Sequence, residues 1–387
     1  MTANPATTPS APTRDRATWA ELFYDLVLVF GIGQAAHILA EAPSWGGMAQ
    51  ALLVLLPLWW AWVSMTLALN AVSETNTQRL LLFAAGLATF TMGVSAPLAL
   101  EHRGAALLFA GSYLGLRVLM AQCVRCTRAI SHSINHHNVG WACATVLVAG
   151  ALLPAGIRGP VWATGVLAEI AAPVVHRDRL HRMTFGPSHL PERFGLFIII
   201  ALGECVLSAG LRAATSHLDL AGMCAVVLSF VTGCALWWLY FHYVAPAVEH
   251  ALRTHRTQAV VVRDVLSYGH FILVVGLLLV AVGTSRIVSE PTAAPHTGIG
   301  ALVPIGAGLF TLTFGYTRWR MFGGASSTRV IAGLCLLLAA PAAPLVPGLV
   351  TLAVTAAVLI AVNGIEYWML TTGRTIPLFF RRAVDLL

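Results

Sequence analysis

Long apolar runs alternate along the chain with short polar breaks. They fall at 19–39, 49–70, 79–100, 104–122, 139–157, 160–176, 193–211, 219–243, 266–287, 297–316, 329–345 and 347–369. Because a crossing needs about 20 apolar residues, the pattern predicts twelve transmembrane helices. Two boundaries stay open. The break near Pro160 is short, and the Pro341–Pro347 region fits either two helices or one broken helix. Residues 1–16, rich in Thr, Pro and Ala, read as a disordered cytoplasmic leader. They are not a signal peptide, since Glu21 and Asp25 interrupt the apolar run behind them. At the other end, residues 371–387 place Phe379 and Phe380 beside Arg381 and Arg382, which suits a short interfacial helix.

Composition agrees. Of 387 residues 58% are hydrophobic and 10% charged, and the mean hydropathy is +0.78. A soluble domain carries roughly 25% charged residues, so a water-soluble globule and a disordered chain are both excluded. Seven scattered cysteines exclude a disulfide scaffold. All 23 basic residues are arginine, giving a net charge of +7. Eighteen of them fall on the side that holds both termini and four on the other, with Arg117 inside the fourth run. That asymmetry predicts that both termini are cytoplasmic. It also explains the charge without a nucleic-acid partner, which would need a clustered basic face.

The chain reads as a duplication. Glu21-Leu22-Phe23 resembles Glu192-Arg193-Phe194, and Gly33-Gln34 falls near Gly203-Glu204. Leu58-Trp59-Trp60-Ala61-Trp62 resembles Leu236-Trp237-Trp238-Leu239-Tyr240, Arg79 matches Arg263, and Leu167-Ala168-Glu169 matches Gly364-Ile365-Glu366. The offsets rise in order, 170–171, 178, 184 and 197, as loop insertions would make them. The expected architecture is a six-plus-six parallel repeat. It has halves at 17–176 and 193–370, a linker at 177–192 and an axis along the membrane normal.

Two stretches resemble a known family. Glu21-Leu22-Phe23-Tyr24-Asp25-Leu26-Val27-Leu28-Val29-Phe30, continuing to Gln34 and His37, is similar to the opening signature of the bacterial low temperature requirement protein A (LtrA) family. Glu192 through Glu204 is similar to its mid-chain signature, and Trp237-Trp238 before Tyr240-Phe241 is similar too. The likeness runs over nearly the whole chain. It departs at the Gly-rich Gly31-Ile32-Gly33 and at Cys205 after the mid-chain Glu. It implies a multi-pass bacterial membrane protein and no particular reaction, so the chemistry must come from the residues.

An ionisable group at a helix centre costs about 2.5–3.5 kcal/mol on insertion scales and marks a functional hypothesis. Glu21 and Asp25 share a helix face about 6 Å apart along the axis. Two such carboxylates in low dielectric are not expected both to be ionised, which makes them candidate proton holders. The structural alternative buries only Asp25, in an arginine salt bridge. Glu204 and Glu169 are mid-span, and Arg117 is the natural counter-ion for Asp25 or Glu169. With Glu366 and His270 these groups suggest a polar cavity opening toward the cytoplasm. Tyr24, Trp59, Trp60, Trp237, Trp238, Gln34 and His37 are candidate substrate-binding residues, because aromatic faces can hold a desolvated cation. The alternative for Trp237 and Trp238 is an interfacial belt. Cys123-x-x-Cys126 with His132, His136 and His137 has soft ligands, but the spacing is too short for a zinc finger, and no metal is assigned. No nucleotide loop or H-E-x-x-H pattern is present, so no cofactor is expected.

The reading favoured is a secondary transporter-like or channel-like protein with buried proton-titratable carboxylates. Its expected partners are the lipid bilayer and a small-molecule or lipid ligand. One alternative is an intramembrane enzyme using a buried carboxylic acid on an isoprenoid or lipid, as a cyclase or transferase would. The other is a structural or stress-related membrane component.

Overall fold

The computed structural model describes residues 16–379 except 70–74, 127–133, 177–185, 217–218, 243, 256 and 295–297. The protein is all-α. Its first six helices are α1 (Trp19–Glu41), α2 (Trp45–Leu69), α3 (Asn76–Ser95), α4 (Arg103–Cys126), α5 (Ile134–Ala151) and α6 (Ala155–Val175). There follow α7 (His189–Ala214), α8 (Leu220–Phe241), the short α9 (Val244–Thr254), α10 (Gln258–Ser289), α11 (Leu302–Phe322), α12 (Ser327–Ala339) and α13 (Gly348–Thr371). Ten helices among the described residues are long and apolar enough to cross a membrane. The two expected spans outside that set are α5, whose apolar stretch is only Val139–Ala151, and α6, which carries Arg158, Glu169 and two prolines.

Local chemistry sets the boundaries. The break expected at Pro160 lies instead at Leu152–Pro154, and Pro160 sits within the first turns of α6. At the other open boundary, Ala340–Leu345 forms a 3₁₀ turn between α12 and α13, so there are two helices. α1 begins in a capping box: the Thr18 hydroxyl accepts from the Glu21 N–H at 3.3 Å, and Glu21 accepts from the Thr18 N–H at 2.8 Å. The described part of the tail forms no interfacial helix. Leu378–Phe379 is extended and pairs antiparallel with Ala325–Ser326, and the Ser327 N–H donates to the Pro377 oxygen at 3.0 Å.

Two elements were not expected. α9 is amphipathic, with Val248 and Leu252 inward and Glu249 and Arg253 paired outward at 2.7 Å. The first part of α10, Val261–Gly269, is π-helical. The wider turn displaces carbonyls from the α-helical ladder. Side chains take them up: His270 Nδ1 lies 2.9 Å from the Val265 oxygen, and Trp59 donates to the Ser267 oxygen at 3.1 Å.

In the first half α1 lies against α2 and α3, α3 against α4, α4 against α5, α5 against α6, and α2 against α4 and α6. In the second half α7 lies against α8 and α10, α10 against α11, α11 against α12, α12 against α13, and α8 against α11 and α13. The halves meet where α1 packs on α7 and α10.

The closest helix contact in the second half is between α10 and α11, through facing glycines. A Cβ on Gly276 would meet the Gly306 oxygen at 2.8 Å, and one on Gly306 would strike the Gly276 oxygen. Gly306→Leu is therefore expected to cost about 1–3 kcal/mol or more. Gly210→Leu, where a side chain enters open space, is expected to leave stability unchanged. Thermal unfolding of both variants in detergent checks this, and equal melting would refute the close approach.

Candidate functional site

The seam between α1 and α7 carries most of the chemistry. At its start the Ala17 N–H donates to Glu192 at 3.0 Å. One turn further in, Glu21 accepts from Arg193 Nη1 at 3.3 Å and lies 3.3 Å from His189 Nε2. Asp25 follows, accepting from Arg193 Nη2 at 3.1 Å and from Trp62 Nε1 at 2.6 Å. Glu21, Asp25, His189 and Arg193 are all fully buried. One guanidinium thus holds two carboxylates away from water. Such charge-assisted bonds are strong, and losing one partner would strand a buried charge.

The Arg193 guanidinium also lies 5.7 Å from the centroid of Trp62, inside the cluster of Trp59, Trp62, Phe194 and Phe197. Asp25 Oδ2 has no hydrogen-bond partner among the described residues.

The partners along this seam lie 168–175 residues apart in sequence. A near-constant separation means that α1 and α7 run parallel. The same register sets Gly33 opposite Glu204: a Cβ on Gly33 would lie 3.5 Å from Glu204 Oε1. Glu204 is half-buried, about 4 Å past the midpoint of α7 by helical rise. Among the described residues its one hydrogen-bond partner is Ser208, at 2.9 Å, and no cation pairs with it. His37, one turn beyond Gly33 on α1, is exposed, and Gln34 is half-buried.

The other buried acids sit in separate ion pairs, so the expected single cavity is replaced by several closed clusters. Glu169 on α6 pairs with Arg117 on α4, and Tyr113, four residues before Arg117, donates to the same carboxylate. Glu366 on α13 takes a forked contact from Arg329, at 3.0 and 2.8 Å, and a 2.6 Å bond from Thr328. Asp264 is held by Arg263 and Arg320. His270 Nε2 lies 2.8 Å from the Tyr240 hydroxyl. Arg117 is therefore the counter-ion of Glu169 and not of Asp25. Nor is it alone within the helices, since Arg158, Arg193 and Arg329 are also buried there.

The aromatic candidates divide. Tyr24, Trp59 and Trp60 are buried: the Tyr24 hydroxyl lies 3.5 Å from Thr89, and Trp60 packs on Tyr268 at 5.3 Å between ring centroids. Trp237 and Trp238 are exposed on α8 and stack on Phe241 and His242, as lipid-facing rings do. The side chains of Cys123, Cys126, His132, His136 and His137 lie outside the described residues.

Arg193 falls at the first position of its apolar run and so counts among the termini-side arginines, which gives no sign of a buried pairing. The match of Glu21 with Glu192 could have located it, since that alignment sets Arg193 opposite the Glu21–Asp25 face. His189 and Tyr113 carried no comparable signal.

A family model described as bacterial low temperature requirement A protein (LtrA) matches residues 16–364. A relative described as an uncharacterized protein, from Rhizobium meliloti (strain 1021), is 30% identical over 292 residues, covering 71% of this chain and 70% of its own. No solved structure matches the chain at a significant level.

Two kinds of buried acid respond differently to neutralisation. Arg117→Gln leaves Glu169 charged without its cation and is expected to cost about 3–5 kcal/mol of stability. Glu204→Gln removes a charge that has no cation and is expected not to lower stability. Thermal unfolding in the same detergent checks the contrast, which equal losses would overturn.

Proposed function

The chain belongs to the bacterial low temperature requirement A family, and from that premise we propose that it is a secondary transporter-like protein of the inner membrane, with proton-titratable Glu204 at the seam of two six-helix halves. The observation that carries this reading is the position of Glu204: mid-helix, on the face where α1 meets α7, bonded to Ser208 and without a cation partner among the described residues. An intramembrane acid without a counter-charge is costly. A group that binds and releases a proton gives that cost a purpose.

The order of helix neighbours supports the division into two parallel halves, since the second six pack in the same sequence as the first. The offset supports it too. Motifs related by 170–171 residues in sequence lie against each other in space, as equivalent residues beside a shared axis along the membrane normal would. The arginine asymmetry puts both termini in the cytoplasm. Glu21 and Asp25 then become a fixed, arginine-locked layer near the cytoplasmic side, and Glu204 the responsive group beyond it.

Proteoliposomes loaded with a pH-sensitive dye test the reading against a panel of amino acids, sugars and inorganic ions. At least one addition is expected to change the internal pH in wild type. Glu204→Gln is expected to abolish that change to the level of protein-free vesicles. No response to any addition, or an equal response in the variant, would refute the proposal.

A further inference from the structure

The α1–α7 seam differs along its length. At the end where α1 and α7 begin, Arg193 ties Glu21 and Asp25 together at complete burial. Val29, Ile32, Phe197 and Ala201 follow, all buried and apolar. Beyond them the seam opens. On α7 the residues past Glu204 along the same face include half-buried Ser208 and exposed Leu207 and Leu211. On α1, His37, Ala40 and Glu41 are exposed. By the register that sets Gly33 against Glu204, His37 lies at the level of Ser208. Polar groups thus step from the helix ends at Glu41 to His37, Ser208 and Glu204, and stop there.

We propose that Glu204 is a proton-binding site reached from the membrane face opposite the termini, along the seam lined by His37 and Ser208. It is closed toward the termini by the apolar layer of Val29, Ile32, Phe197 and Ala201 and by the Arg193 lock. The inference deepens the transport reading and rests on it for its purpose: it assigns the ion and the side of entry.

The surroundings leave Glu204 free to change its charge. On its own helix the nearest charged group is Arg212, eight residues away in the last turn on the open side, about 12 Å along the axis; Arg193, eleven residues away on the closed side, is committed to Glu21 and Asp25. Neighbouring Cys205 donates its thiol to the Leu277 oxygen of α10. From α1, His37 and Glu41 are the titratable groups on the open side, and Asp25, Glu21 and Tyr24 those on the closed side. α2 contains no charged residue; the titratable groups of α8 are the exposed Cys224 and Cys234 and Tyr240, the last bonded to His270; and those of α9 are His250 and Glu249, which pairs with Arg253. On α10, Arg263 pairs with Asp264 and Arg286 with Glu290.

A hydrophobic carbodiimide tests the site without any transported substrate. Dicyclohexylcarbodiimide reacts with a protonated carboxyl in an apolar setting. The acid proton passes to one carbodiimide nitrogen and the carboxyl oxygen adds to the central carbon. Rearrangement then gives a stable N-acylurea, with nothing lost. In proteoliposomes of known orientation, the α7 peptide of wild type is expected to gain one intact carbodiimide. Labelling is expected to speed up as the bath facing the non-terminal side is acidified and to ignore the pH on the other side.

Glu204→Gln is expected to remove the label from that peptide, and the wild-type response alone decides the sidedness if the variant fails to assemble. Labelling that follows the termini-side pH, or that appears only after denaturation, would overturn the proposal. Correct labelling with no flux of any panel member leaves the site standing and removes the transport reading. Flux without labelling does the reverse.

Discussion

One guanidinium shared by two carboxylates inside a membrane constrains everything around it. Arg193 can be buried only if Glu21 and Asp25 stay within reach, and those acids can be buried only if Arg193 stays. Desolvating three charges is unfavourable by several kcal/mol each, and is offset only when geometry is good and the remaining polar atoms are satisfied. That requirement fixes α1 and α7 side by side and in register. Thr18, His189 and Trp62 supply extra bonds, leaving Asp25 Oδ2 and Arg193 Nε without a hydrogen-bond partner among the described residues, and the aromatic cluster around Trp62 keeps water out. The two halves are therefore joined by an ionic layer where lipid-like packing alone would leave register weakly specified.

The same seam then releases that constraint. Past the apolar layer the carboxylate is Glu204, which faces a glycine and a serine instead of a guanidinium. A seam locked at one end and open at the other is what a protein needs if it is to admit an ion from one side while remaining sealed. Elsewhere the buried acids among the described residues are paired: Glu169 with Arg117, Glu366 with Arg329, and Asp264 with Arg263 and Arg320. Each of these is a local brace, with Glu169 on α6 and Glu366 on α13.

Much of the fold was legible because the bilayer imposes length. Apolar runs located the helices, although α5 fell short of a full span because its apolar stretch is only Val139–Ala151, and α6 because Arg158, Glu169 and two prolines interrupt it. α9 and the π-helical start of α10 were not legible. The first is too short for a span, and the second depends on side chains from other helices, such as Trp59, to receive its displaced carbonyls. At the site, residue type identified the acids correctly as buried. Pairing was harder, because it depends on helix register across the two halves. Arg117 suits two acids by type and serves one, and Arg193, at the first position of its apolar run, counts with the termini-side arginines although it is the centre of the lock. Thr18-x-x-Glu21 was readable as a capping box, and it shows why Glu21 begins the helix as well as the ion cluster.

The most direct measurement is a double-mutant cycle on the lock, read as thermal stability of Arg193→Gln, Asp25→Asn and the double variant. Each single change strands or unbalances a buried charge, while the double change removes both. The account predicts that the double variant loses clearly less stability than the two single losses combined. Strictly additive losses would mean that Arg193 and Asp25 do not act on each other, and the locked seam between the halves would be wrong.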